Sequence, residues 1–216
     1  MKRRIVLLGP PASGKGTQAE MLQKRFGLPV ASPGAMFREE KRLGLARGEA
    51  ADELARQGKL VSDEMVNSLV ADWIQHHTIS FVFDGYPRSI AQAEALKTML
   101  QNFGSGLDVV LSLELNLEII RERVDRRWMC SACGQIVRTR LHPGAESDGC
   151  PACKGRLIKR RDDSPETFAA RMSEYAEKTE PLISYYGKSG ILREVDASGR
   201  PELVFQTVTS ILEAEQ

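Results

Sequence analysis

The stretch that most constrains this chain is Ile5-Val-Leu-Leu-Gly9-Pro-Pro-Ala-Ser-Gly14-Lys15-Gly16-Thr17. A short apolar run enters a loop of small residues, the loop ends in a lysine, and residues 18–25 then read as a helix. Strand, glycine-bearing loop and helix are the context that a phosphate-binding P-loop needs. The first N–H groups of a helix have no intrahelical partner, and the helix dipole favours an anion beside them. Successive loop amides add an anion-binding nest, and Lys15 supplies a mobile charge for the outer phosphates. The strict pattern has Ser or Thr directly after the lysine; here Gly16 intervenes and Thr17 follows. A chance glycine loop in an ordinary α/β protein is the plain alternative, and it lacks a reason for the whole strand–loop–helix context.

Around this nucleus the pattern is α/β. Residues 5–8, 28–31, 79–83, 109–115 and 191–195 read as five short buried strands. Helices are expected over 17–26, 35–43, 62–73, 89–102, 117–124, 165–178, 181–188 and 202–213, with Ser32-Pro33-Gly34 breaking the chain before the second. Residues 35–60 are polar and helix-prone, either as plain surface helices or as a small cap over a second substrate. A doubly wound parallel sheet binds ligands at the carboxyl ends of its strands. Asp84 stands at such an end, in Asp84-Gly85-Tyr86-Pro87-Arg88, placed to hold Mg²⁺ through water. A turn-former before Gly85 is the bland reading of Asp84; Arg88, within reach of a phosphate, favours the functional one. Arg123 and Arg127 are four residues apart and share a helix face, which a solvated basic surface would also explain.

Four cysteines stand as Cys130-x-x-Cys133 and Cys150-x-x-Cys153 with sixteen residues between the pairs. That is zinc-ribbon spacing, four thiolates for a closed tetrahedral structural site. Disulfides or free thiols are the alternatives, and zinc ribbons also occur in nucleic-acid binders. The net charge of +1 gives no overall case for nucleic acid, membrane or acidic partners. The 20 arginines against 10 lysines suit bidentate phosphate recognition, although codon bias gives the same excess. No apolar run approaches the roughly 18 residues of a spanning helix. After basic Lys2-Arg3-Arg4 the apolar run is too short for a signal-peptide core. The expectation is a cytoplasmic protein that engages neither membrane nor nucleic acid. A monomer is expected because no heptad or long apolar stripe asks for a partner.

With these features in hand, the chain resembles the adenylate kinases, in their bacterial long-lid form with a four-ligand zinc lid. The likeness runs from residue 5 to about 212. It rests on Gly14-Lys-Gly-Thr17, Met36-Phe-Arg38, Gly58-Lys-Leu-Val61, Asp84-Gly-Tyr-Pro-Arg88 with Gln92, Arg123 and Arg127, the four cysteines, Arg160 with Asp162-Asp163, Arg171, and Pro181-Leu-Ile-Ser-Tyr-Tyr186. The resemblance implies a P-loop NTPase-type doubly wound five-stranded parallel sheet. Its core would be residues 1–31, 62–125 and 163–216, with an inserted helical NMP-binding cap at 32–61 and a small β-rich zinc lid at 126–162. It implies transfer of the ATP γ-phosphoryl group to AMP with Mg²⁺, giving two ADP. On the ATP side it places Ala12, Ser13, Gly14, Lys15, Gly16, Thr17, Arg123, Arg127, Ile136, Val137 and Arg200. On the AMP side it places Pro33, Arg38, Lys59, Leu60, Val61, Gly85, Arg88, Gln92, Arg160 and Arg171. Lys15, Asp84, Arg88, Arg123, Arg160 and Arg171 carry the chemistry, and Asp162 and Asp163 mark the lid hinge.

Three departures from that family stand out. Ala12 replaces a loop glycine. Pro33-Gly34-Ala35 replaces Thr-Gly-Asp, so the threonine that helps recognise the AMP base is missing and Pro33 offers neither hydroxyl nor N–H. Val124-Asp-Arg-Arg-Trp-Met129 replaces the usual Gly-Arg-Arg, which leaves Arg126 or Arg127 as the ATP arginine. A kinase of UMP or CMP, and a nucleotide-binding protein whose zinc module binds nucleic acid, are the competing readings.

Overall fold

Alternation within the first strand sets the architecture. The computed structural model describes residues 3–56, 61–138, 149–159 and 163–214, apart from the side chains of residues 55, 56 and 138. In β1 (Arg4–Leu8), every residue from Ile5 to Leu8 is buried. Ile5 and Leu7 face one layer, with Ala19 and Leu22 of α1 (Lys15–Phe26) and Val204, Val208 and Leu212 of α9 (Pro201–Ala214). Val6 and Leu8 face the other. There they join Val70 and Ile74 of α4 (Asp63–Ile74), Leu96 and Leu100 of α5 (Ile90–Gln101), and Leu182 and Tyr186 of α8 (Pro181–Lys188). Burial on both faces is why the strand reads as an unbroken apolar run, and each such side chain contributes roughly 1.5–3 kcal/mol.

The remaining strands of this sheet are β2 (Val30–Ala31), β3 (Phe81–Asp84), β4 (Val109–Glu114) and β8 (Leu192–Asp196). All pairs are parallel, in the order β2-β3-β1-β4-β8. The chain leaves β1 for β2 past β3, and leaves β3 for β4 past β1. Their connections thus run in opposite directions, and the crevice at their carboxyl ends is a topological switch point. The register Leu7 to Asp84 sets Asp84 beside the exit of β1.

Two insertions rise from this core. The first is the pair α2 (Pro33–Arg42) and α3 (Ala46–Arg56), where Phe37, Ala51 and Leu69 form a separate small cluster. The expected break at 32–34 is corrected here: Ser32 is the N-cap and Pro33 opens α2. Proline is tolerated at a first helical position because its missing N–H has no partner there anyway. The second insertion follows α6 (Leu117–Asp125). Its strands β5 (Arg127–Cys130), β6 (Ile136–Arg138) and β7 (Leu157–Ile158) pair antiparallel in the order β6-β5-β7.

The return to the core is also less regular than expected. Instead of one helix over 165–178, α7 (Pro165–Glu174) gives way to a π-helical turn, Tyr175–Thr179, before α8. Pro181 cannot donate to the carbonyl four residues back, and the wider turn absorbs the mismatch. It also delivers Thr179, whose hydroxyl donates to the Arg88 carbonyl at 2.9 Å.

Candidate active site

The P-loop leaves β1 and enters α1 through a left-handed N-cap, Gly14 at φ 105°, with no side chain capping the first turn. Its amides therefore keep their donors for an incoming anion. Ala12 adopts φ 62°, a left-handed conformation that glycine occupies without strain. Lys15 arches back over the loop, its Nζ donating to Gly9 O at 2.7 Å, Pro10 O at 2.9 Å and Ser13 Oγ at 3.3 Å. At the neighbouring strand end, a Cβ placed on Gly16 would lie 3.2 Å from Asp84 Oδ2. The carboxylate thus sits against the first turn of α1, where any Cβ at position 16 would press on it.

Burial pushes Lys15 down from its ordinary 10.5 to about 8; the Asp84 carboxylate opposes that, while Arg88, Arg171 and Arg127 lower it further. One acid and four cations therefore converge in the crevice. Arg127 and Arg171 come from the lid root and α7 and share one buried carboxylate. Asp163 accepts from Arg127 Nε at 2.7 Å and from its Nη2, and Arg171 Nη1 lies 3.4 Å away. Arg126 instead makes an exposed pair with Glu122 at 2.7 Å. Of the two arginines, Arg127 is the one whose charge bears on Lys15.

Arg123, on α6, donates to Ser13 O at 2.9 Å and Ala197 O at 2.6 Å. It forms one wall of a cleft completed by Gly14, Thr17, Gly199 and Pro201. Arg200 closes the turn beneath: its carbonyl accepts from Leu203 and Val204 at the start of α9, and its side chain is exposed. Ile136 and Val137 lie on β6, opposite Met129 and Trp128 of β5.

On the other side of Asp84, Arg88 Nε donates to Gly85 O at 2.8 Å. Gln92 is buried, with its amide oxygen accepting from Arg88 N at 2.7 Å and its amide nitrogen donating to Asp63 Oδ1 at 2.6 Å. Ser89 Oγ donates to Asp63 Oδ2 at 2.8 Å. Asp63 was legible only as part of a helix start, because its partner lies 29 residues away. Arg38 and Pro33 stand on α2, Arg38 exposed and Pro33 buried, and Val61 packs against the cap cluster. Lys59, Leu60, Arg160 and Asp162 lie outside the described residues.

The cysteines gather in the lid. Cys130 and Cys153 Sγ are 3.4 Å apart, Cys133 and Cys150 Sγ 3.6 Å, and all four lie within 4.8 Å of one another. The corners of a tetrahedron with metal–sulfur bonds of about 2.3 Å stand about 3.8 Å apart, so the set fits one ion. All four thiols are free, which sets aside the disulfide alternative. The Cys133 amide donates to Cys130 Sγ at 3.5 Å and holds that thiol down to about 6.

A glycine-loop phosphate site at the switch point of a parallel sheet, with Arg88, Arg127 and Arg171 bearing on its lysine, defines a P-loop nucleotide phosphotransferase. The sequence narrows the class. The family model for adenylate kinase matches residues 7–191. The chain is 37% identical to the adenylate kinase of Anaeromyxobacter dehalogenans over 210 residues, 96% of this chain and 98% of that one. It is 38% identical to that of Archaeoglobus fulgidus over 211 residues, 97% of each, and 40% identical to that of Moorella thermoacetica over 197 residues, 90% of this chain and 91% of the other. The chain belongs to the adenylate kinase family.

Proposed function

We propose that the chain transfers the γ-phosphoryl group of ATP to AMP, giving two ADP, and reverses the reaction. The observation that carries this is the convergence of Lys15, Arg88, Arg127 and Arg171 on one crevice, with Asp84 beside them. Two facing phosphate chains would give each of these cations an anionic partner. Phosphoryl transfer asks the protein for alignment and charge neutralisation more than for a covalent partner. Lys15 and the 12–17 loop hold the ATP phosphates, and Arg123 and Arg127 bound them on the lid side. Arg38 and Arg88 take the AMP phosphate, with Arg160 and Arg171 between the two chains. Gln92 contacts the AMP base beside Gly85. Lys59, Leu60 and Val61 complete that side; Ile136, Val137 and Arg200 complete the ATP side. Asp84 would hold Mg²⁺ through water, and the ion would offset phosphate charge. The four cysteines would hold Zn²⁺, which would supply lid rigidity and no reacting group.

The cap at 32–61 and the lid at 126–162 close over the core to exclude water, which keeps the phosphoryl group from hydrolysis. In this reading the protein works as a cytoplasmic monomer on its two nucleotides, without nucleic acid or membrane. Among the described residues no helix is long and apolar enough to cross a membrane. Pro33 favours one second reading, another monophosphate as acceptor, since it can donate no hydrogen bond to a base. An assay with ATP, Mg²⁺ and AMP, CMP, UMP or GMP in separate reactions decides. ADP formation fastest with AMP is the expected result. Preference for another acceptor would move the specificity to residues 33–35.

A further inference from the structure

We propose that Asp63 is a positioning residue that fixes the hydrogen-bond polarity of the acceptor-base site, matching it to adenine and against 6-oxopurines. This rests on the reading of Gln92 as the residue that contacts the acceptor base.

A glutamine amide is nearly symmetric in shape and can present its oxygen and nitrogen in either order. At Gln92 the surroundings remove that freedom. Its oxygen faces the Arg88 N–H at 2.7 Å and its nitrogen faces Asp63 Oδ1 at 2.6 Å. A backbone N–H can only donate and a carboxylate can only accept. Reversal would set NH₂ against N–H and carbonyl against carboxylate, in a side chain only 5% exposed. Both hydrogen bonds would be lost where polar groups are most costly to leave unpaired.

Asp63 is itself held on both sides. Its Oδ2 receives the Ser89 hydroxyl at 2.8 Å, and the same Ser89 Oγ accepts from Gln92 N at 3.2 Å, capping α5. Asp63 is also the first residue of α4 after the N-cap Ser62, a place where negative charge is favoured. The starts of α4 and α5 are thereby tied together through the carboxylate that orients the amide.

An amide oxygen has two lone pairs and its nitrogen two hydrogens. The clamp uses one of each, so one acceptor and one donor remain, in a fixed order. Adenine offers an acceptor at N1 beside a donor 6-amino group. Hypoxanthine and guanine offer a donor at N1 beside an acceptor at O6. An amide held in one order complements only one of the two and sets like against like with the other; with AMP as the acceptor, the complemented base is adenine. A polar site aligned in this way rejects a mismatched partner far better than an apolar pocket does.

The test compares AMP with inosine monophosphate (IMP), whose base differs only at N1 and position 6, as acceptors for the full chain with ATP and Mg²⁺. Asp63→Ala is expected to lower the AMP-over-IMP ratio of kcat/KM by about tenfold, through the acceptor KM, with the KM for ATP unchanged. Asp63→Asn, whose oxygen still accepts from Gln92, is expected to keep most of the ratio. An equal loss with AMP and IMP in Asp63→Ala overturns the proposal, because it marks a structural role. Gln92→Ala separates the two claims. If it lowers the ratio while Asp63→Ala does not, the clamp fails and the contact stands. If it leaves the ratio unchanged, the contact itself fails. Should Asp63→Ala not fold, Ser89→Ala, which loosens Asp63 from its other side, must lower the ratio by a smaller factor; an unchanged ratio there overturns the clamp.

Discussion

Lys15 is the side chain on which the proposed chemistry leans most, and its surroundings give it a pH signature. Burial, with Asp84 opposing and three arginines assisting, brings it down to about 8 in the ligand-free protein. Only the protonated form neutralises phosphate. The kcat/KM for ATP should therefore fall as pH rises through 8, while kcat holds to higher pH because bound phosphates favour the cation. Lys15→Ala should lower turnover at least ~100-fold and abolish that limb of the profile; near-normal activity would remove Lys15 from the site. Ala12 yields a different kind of prediction. A left-handed alanine costs roughly 1–2 kcal/mol, and Gly's greater unfolded-state freedom returns about 0.4–1 kcal/mol of that. Ala12→Gly should therefore stabilise the protein by about 0.5–1 kcal/mol, read as a higher urea midpoint with unchanged slope. A lower midpoint would mean that the loop holds Ala12 without strain. At this scale the sequence showed which residues belong to the P-loop and that Ala12 was out of pattern. It could not show Asp63 on Gln92 or Asp163 on Arg127 and Arg171, because those pairings cross 29, 36 and 8 residues and exist only once the helices pack.

Among the elements, the lid is the unit whose stability is separable. Its strands are short, and among its described residues the buried ones are Cys130 and Cys150. Metal binding in such a module is folding free energy. Chelation should release amide protection first at 127–138 and 149–158, before the parallel sheet; one unchanged melting transition after metal removal would contradict this. Gly155→Ala tests the same element without a chelator. A Cβ there would lie 2.8 Å from Cys130 Sγ and 2.9 Å from Ala132 Cβ, so the variant should bind less than one equivalent of zinc while its core melts normally. The cysteine spacing made this module legible, and the apolar runs made the five core strands legible to within a residue or two. One misreading was the helix face expected to carry both Arg123 and Arg127: α6 ends at Asp125, so Arg127 opens β5 instead. The other misread elements were governed by proline. Pro33 was read as a break and proved to start α2, because a helix accepts proline in its first turn. Near Pro181 the expected helix gave way to a π-helical turn, which no periodicity of apolar residues announces.

Over the whole molecule the formal charge is only +1, yet cations from α1, the β3–α5 loop, the lid root and α7 bear on a single crevice. Without a ligand that arrangement is partly self-repelling, relieved by Asp84 and by Asp163 beneath Arg127 and Arg171. A polyanion should substitute for those carboxylates. Inorganic tripolyphosphate, which has no base or ribose, should therefore bind competitively with ATP and raise the melting temperature. At a concentration of 100 times Kd, linkage gives about 2.7 kcal/mol, or roughly 5–10 °C for a chain of this size. The screening length shrinks from about 10 Å at 0.1 M salt to about 3 Å at 1 M, so the shift at fixed tripolyphosphate should diminish steeply over that range. Lys15→Ala should blunt it at every salt concentration. A shift that ignores salt, or that survives intact in Lys15→Ala, would place the anion outside the crevice and detach the arginine cluster from phosphate binding.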